Sequence, residues 1–140
     1  MTYADDRRSE AVFAAAANLV ARYNSGDRDS YLACFTPDAT FDFHFEEQGC
    51  NSLADMIKLL ERLDAEGARI ISCTSTNQSV QILTGAYSAV FRHDVDTVEV
   101  DGDGTESTHY ERETIVFQLH SGGRWLAVHE HLSPRPKPSA

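Results

Sequence analysis

The chain is poor in the features that would assign it quickly. Its three cysteines, Cys34, Cys50 and Cys73, are odd in number and far apart, with no CxxC pair. That argues against a disulfide framework or a structural zinc site and fits a reducing cytoplasm. Positive charge is scarce: 12 Lys and Arg stand against 22 Asp and Glu, for a net charge of −10. Nucleic acid and anionic membranes attract basic patches, so neither is expected as the main partner. No apolar run approaches the roughly 20 residues that span a bilayer. The first eight residues lack the basic-then-apolar order of a secretory leader. There is no Gly-x-Ser-x-Gly, no EF-hand pattern and no internal repeat. The cysteines sit in contexts like those of small buried apolar residues, which leaves nucleophilic catalysis with little support. Glu99, Asp101, Asp103 and Glu106 form an acidic tip, read as a solvated loop.

What is present suits one domain. At 140 residues and 41% hydrophobic content the chain can bury a real core. The domain is expected over residues 1–133, with a loose proline-rich tail over 134–140. Residues 5–23 read as an amphipathic helix, because Val12, Ala16, Leu19, Val20 and Tyr23 recur at helical spacing. Ser25-Gly26-Asp27 supplies a stop and a fresh cap for a short helix over 29–35, ended by Thr36-Pro37-Asp38. Residues 39–46 alternate, with Phe41, Phe43 and Phe45 on one face and Asp42, His44 and Glu46 on the other. Ser52 with Asp55 resembles a capping box that opens a third helix over 53–66, closed by Gly67. Strand-like runs follow at 69–76, 80–100, 106–120 and 124–133, with a hairpin signal at Asp101-Gly102-Asp103-Gly104.

Helices gathered in the N-terminal half and antiparallel strands behind them indicate an α+β fold. Three helices packed on one face of a curved, mostly antiparallel sheet make a cone-shaped α+β barrel. Its open mouth is the kind of concavity that takes small ligands. Three helices cannot cover both faces of such a sheet, so pairing into a homodimer through the sheet face is expected.

The most informative stretch is the last, Trp125-Leu126-Ala127-Val128-His129-Glu130-His131-Leu132-Ser133. In an extended chain, side chains two apart share a face, so Trp125, Ala127, His129 and His131 should project together. Arg112 alternates with Tyr110 and Thr114, while Ile115, Phe117 and Leu119 have the opposite parity. Either a bulge intervenes or both faces are covered.

Arg112-Glu113-Thr114, followed by Gly123-Arg124-Trp125 and Val128-His129-Glu130-His131-Leu132-Ser133, resembles the nuclear transport factor 2-like superfamily. More narrowly it resembles the SnoaL-like, ketosteroid-isomerase-like bacterial proteins. It is also similar to the association domain of calcium/calmodulin-dependent protein kinase II. The resemblance covers residues 5–133 and implies the cone-shaped barrel, with its sheet paired to a second subunit. Its members include isomerases, cyclases, dehydratases and non-catalytic oligomerisation modules, so fold does not convert into reaction. The kinase domain carries a basic residue between the second histidine and the serine, where this chain has Leu132.

The expected ligand-binding residues are His44, Tyr110, Arg112, Trp125, His129 and His131. The catalytic candidates are Asp42 and His131. A guanidinium in a cavity would hold a carboxylate or phosphate bidentately, and the alternative for Arg112 is a salt bridge on the sheet. If the phenylalanines pack under the helices, Asp42 and His44 face outward. If they pack against another subunit, the pair lines the cavity, and Asp42 would serve as general base with Tyr87 or Tyr110 steadying an enolate. His129 and His131 can also chelate an ion, for which Glu113, Asp94 or His44 are conceivable third ligands. No metal and no cofactor is expected. The expected function is small-molecule binding in the cytoplasm, with cofactor-independent isomerisation, cyclisation or dehydration of an anionic or carbonyl-containing compound. The alternative is a non-catalytic oligomerisation or ligand-binding module.

Overall fold

Side-chain caps start two of the three helices, as the local sequence requires. A computed structural model describes residues 3–139, with side chains from Asp6 onward. Met1, Thr2 and Ala140, at the ends of the expected domain and tail, lie outside the described residues. Asp27 accepts from the Ser30 amide and opens α2 (Arg28–Leu32) after α1 (Tyr3–Ser25). Ser52 accepts from the Asp55 amide at 3.1 Å, while the Asp55 carboxylate accepts from the Asn51 amide at 3.0 Å. These reciprocal bonds open α3 (Leu53–Ala65) in the manner of a capping box. Gly67, at φ +84, ends it. A Cβ there would lie 2.8 Å from the Gly102 Cα, so paired glycines let α3 dock on the hairpin tip. Among the described residues no helix is long and apolar enough to cross a membrane.

Five strands follow one sheet, in the order β1 (Phe35–Phe43), β5 (Arg124–Pro134), β4 (Glu106–His120), β3 (Ser88–Val100) and β2 (Arg69–Ile82). β1 runs parallel to β5 and the other neighbours are antiparallel. The helices cover one face of this curved sheet, which makes the cone-shaped α+β barrel. Two strand limits differ from the periodicity. β1 begins at Phe35 and passes through Pro37, which an edge strand tolerates. β2 continues to Ile82 through an irregularity at Thr76–Ser79, where Asn77 takes φ 51. The turn therefore falls at residues 83–87 and interrupts the long run expected over 80–100.

The inner face is set by odd-numbered residues of β3 and β4. Ala89, Phe91, His93, Val95 and Thr97 are buried there, as are Glu111, Glu113, Ile115 and Phe117. Val12, Ala16 and Leu19 of α1 join Phe41, Phe91 and Phe117 in one core cluster. Phe41 and Phe43 pack under the helices, so Asp42 points outward. Phe45 lies beyond the strand end and is 54% exposed, against the expectation that all three phenylalanines share a buried face.

The decisive irregularity is in β5. Val116 pairs with His129 and Phe117 with Ala127, which leaves Val128 as an extra residue opposite no partner. This bulge reverses the parity of everything after it. Trp125 and Ala127 face the core, yet so does Glu130, while His129 and His131 turn to the outer face. The expected row of Trp125, Ala127, His129 and His131 is therefore broken. The start of the tail is also anchored. Arg135 donates to the Val95 and Glu111 carbonyls, both at 2.8 Å, and pairs with Asp96.

Deleting Val128 would remove the extra residue and restore strict alternation with Trp125, Ala127 and Glu130 still inward and both histidines still outward. We expect such a chain to keep a cooperative thermal transition, as read by near-ultraviolet circular dichroism. Loss of that transition would show that Val128 is not the residue the bulge absorbs.

Candidate functional site: an acidic cavity inside the cone

Between α3, α1 and the inner sheet lies a cavity of about 580 Å³. Its walls are apolar: Leu19, Phe43, Met56, Leu59, Leu63 and Val95. The helix α3 turns its Met56–Leu59–Leu63 row toward this space, a stripe in which Leu59 had not been expected. Asp27, Asp64 and Glu99 also line it, and three further carboxyl groups interrupt the apolar lining, Glu111 and Glu113 from β4 and Glu130 from β5. All three are buried.

Each carboxyl has a partner. Glu113 and Glu130 are hydrogen-bonded to one another. The His93 Nε2 lies 2.7 Å from Glu113 Oε1, and its Nδ1 lies 2.6 Å from Ser75 Oγ. The Tyr31 hydroxyl donates to Glu130 Oε2 at 3.4 Å. Glu111 Oε2 sits 2.5 Å from His44 Nε2. A chain of polar groups thus runs Ser75, His93, Glu113, Glu130, Tyr31, of which the last three line the cavity.

Burial decides the protonation of this chain. It pushes Glu130 well above the usual carboxylate range, and the neighbouring Glu113 charge pushes the same way. Burial also raises Glu113, while its hydrogen bond with Glu130 lowers it. The pair titrates as a unit, and Glu130, raised the further of the two, is the one that holds a proton more tightly. His93 is lowered to about 4 by burial, although the nearby acidic charges oppose the shift. It is a neutral imidazole that accepts from Ser75 and donates to Glu113. The Tyr31 and Tyr23 phenols are pushed up by burial and remain neutral donors. Cys73, on the same wall, rises to about 11 for the same reason and is no thiolate.

The residues expected at the site divide between two faces. His44 reaches the cavity, because the chain turns after Phe43 and frees it from strand parity. Trp125 is buried in the core and does not line the cavity. Asp42, Tyr110, Arg112, His129 and His131 lie on the outer face. Arg112 is 66% exposed with its Nε 3.9 Å from Asp94, the salt-bridge alternative. Tyr110 lies under the Arg135 guanidinium, 5.6 Å from its ring centroid. Tyr87 is 66% exposed. The buried carboxyls on the cavity wall are Glu111, Glu113 and Glu130, and Asp42, the expected general base, is not among them. A signal for Glu113 was visible, since Glu111 and Glu113 share parity with Ile115 and Phe117.

A sheet of five strands wrapped on three helices around one open cavity defines the nuclear transport factor 2-like class. Within that class, the model of the calcium/calmodulin dependent protein kinase II association domain matches residues 8–136, and the chain belongs to this family. No curated protein gives a match. A candidate association domain of the same name from Xanthomonas campestris superposes with TM-score 0.74 at 20% identity, covering 91% of this chain and 87% of that one. A ketosteroid isomerase-like protein from Erwinia carotovora atroseptica SCRI1043 gives 0.76 at 14% identity, covering 93% and 98%. A candidate scytalone dehydratase from Novosphingobium aromaticivorans DSM 12444 gives 0.75 at 14%, covering 91% and 83%. At these identities the likeness is one of fold.

The Glu130 proton has a measurable consequence. A carboxyl raised above its unfolded value of 4.5 stabilises fully below that pH, and the contribution is lost as pH rises through the folded value. Across that window wild type should lose up to about 1.4 kcal/mol per pH unit relative to Glu130→Gln, whose amide donates to Glu113 without a proton to lose. Urea unfolding from pH 4.5 upward checks this. Parallel curves for the two proteins would show that Glu130 ionises freely.

Proposed function

We propose that the cavity binds a small, largely apolar compound and that the Glu113–Glu130 pair transfers protons to and from it. The observation that carries this reading is a pair of buried carboxyls, hydrogen-bonded to one another on the wall of a largely apolar cavity. Such a pair supplies an ionised base and a neutral acid side by side. Glu113 is the group to take a proton from carbon, and Glu130 the group to protonate an oxygen. Tyr31 and neutral His93 hold the two carboxyls in place. Cofactor-independent isomerisation or dehydration needs no more than this.

The lining also selects the ligand. Arg22 is engaged with Asn18 and the Ser30 carbonyl, and Arg28 with Asp64 at the rim. Arg69 also lines the cavity, yet no arginine is among the charges that act on Glu113 and Glu130, so an anionic ligand beside them would meet like charge. A neutral carbonyl compound fits, and the anionic alternative is set aside. In this reading the protein works in the cytoplasm as a homodimer paired through its outer sheet face.

Incubation with a neutral cyclic β,γ-unsaturated ketone in D₂O should place deuterium at the α-carbon, followed by mass spectrometry. Glu113→Gln should lower that exchange by about 10²–10⁴-fold. Exchange no faster than buffer would leave the family's other reading, a ligand-binding association module without catalysis. Light scattering at micromolar concentration should give twice the 15.5 kDa chain mass, and a monomeric mass would remove the pairing.

A further inference from the structure

The outer face of the sheet carries a second polar cluster, on β1 and β5, that the cavity does not use. Asp42 and His131 stand opposite one another in register, and His129 stands opposite Thr40. One ligand atom from each of Asp42, His129 and His131 lies within 4.8 Å of the other two. Within one chain Asp42 and His131 are exposed and His129 is half-buried, at the β1 edge of the outer face. We propose that Asp42, His129 and His131 bind one borderline divalent ion of the zinc class.

The donor set carries the assignment. Two imidazole nitrogens and a carboxylate oxygen suit zinc-like ions, whereas magnesium and calcium want oxygen ligands alone. His-x-His places both rings on one strand face, with centroids 6.3 Å apart. A tetrahedral ion with bonds of about 2.1 Å needs ligand atoms about 3.4 Å apart. Rotation of the two exposed side chains covers the remaining distance. The rest of the coordination sphere is left to solvent.

Supporting contacts fix the orientation of the donors. Thr40 Oγ1 lies 2.7 Å from His129 Nδ1, which holds the ring and leaves Nε2 for the ion. The loop at Gly49 crosses Asp42 so closely that a Cβ there would sit 2.4 Å from Oδ1. Asp42, His131, Glu46, Glu47 and Gly49 line one shallow depression of about 200 Å³. Glu46 is paired with Arg62, and Glu47 adds negative charge at the rim. The third ligand is thus Asp42 and not Glu113, which is turned inward by the opposite parity. An ion here would tie the edge strand β1 to β5.

The test is calorimetric titration of the chelator-stripped full chain with zinc chloride, with magnesium chloride as control. We expect one zinc per chain, no heat from magnesium, and a thermal midpoint that rises with zinc. Asp42→Asn and the His129→Ala/His131→Ala double variant should abolish the heat and the thermal rise, while circular dichroism reports an unchanged fold. Thr40→Ala, which keeps all three ligands, should weaken binding about tenfold. A wild-type chain that takes up no zinc overturns the proposal. So does a double variant that binds as tightly as wild type.

Discussion

One unpaired residue in β5 governs both polar regions of the protein. Val128 has no partner on β4, and strand alternation makes its insertion equivalent to a half-turn of the remaining chain. Were Val128 paired in regular alternation instead, the side chains of Glu130, His129 and His131 would exchange faces. With the bulge, a carboxyl is delivered to Glu113 inside the cone and two imidazoles are delivered to Asp42 outside. The bulge lies where β5 leaves its packed segment, Trp125 and Ala127, and enters the segment that lines the cavity. A local defect of pairing is therefore the device that separates core from site.

Bringing a second carboxyl into that interior is costly unless charge is limited. A lone buried carboxylate would lose hydration worth several kcal/mol. Burial raises both carboxyls, Glu130 the further, which limits the charge of the pair, and the neutral His93 ring and Tyr31 hydroxyl supply hydrogen bonds to it. The same economy keeps His93 uncharged, although it sits 2.7 Å from a carboxylate. The residual field is negative, with Glu111 held separately by His44. The pH dependence of stability and, in the proposed function, acid–base capacity and ligand selection all arise from this one arrangement.

Much of the architecture was legible because it rests on local rules. The Ser52–Asp55 box, the glycine stop at Gly67 and the Asp101–Gly104 hairpin each satisfy backbone groups within a few residues. The apolar parity of Phe91, Ile115 and Phe117 also marks the buried face, and Glu113 falls on it by simple counting. Glu130 did not, because a β-branched valine carries no mark of a bulge. His44 was among the expected site residues, yet strand parity was extended past Phe43, and it reaches the cavity because the chain turns there. Arg135 lay in a proline-rich tail, and only two carbonyls from β3 and β4 show that it is held.

From its residues alone this chain specifies an α+β cone, the three helices, the order of the strands and an interior able to admit a guest. Those outcomes follow from periodicities of 3.6 and 2 and from turn chemistry, which act between neighbours in sequence. The identity of the site belonged to tertiary structure. Which face Glu130, His129 and His131 occupy depends on a pairing register between β4 and β5, and register is settled by the packing of a whole sheet against its helices.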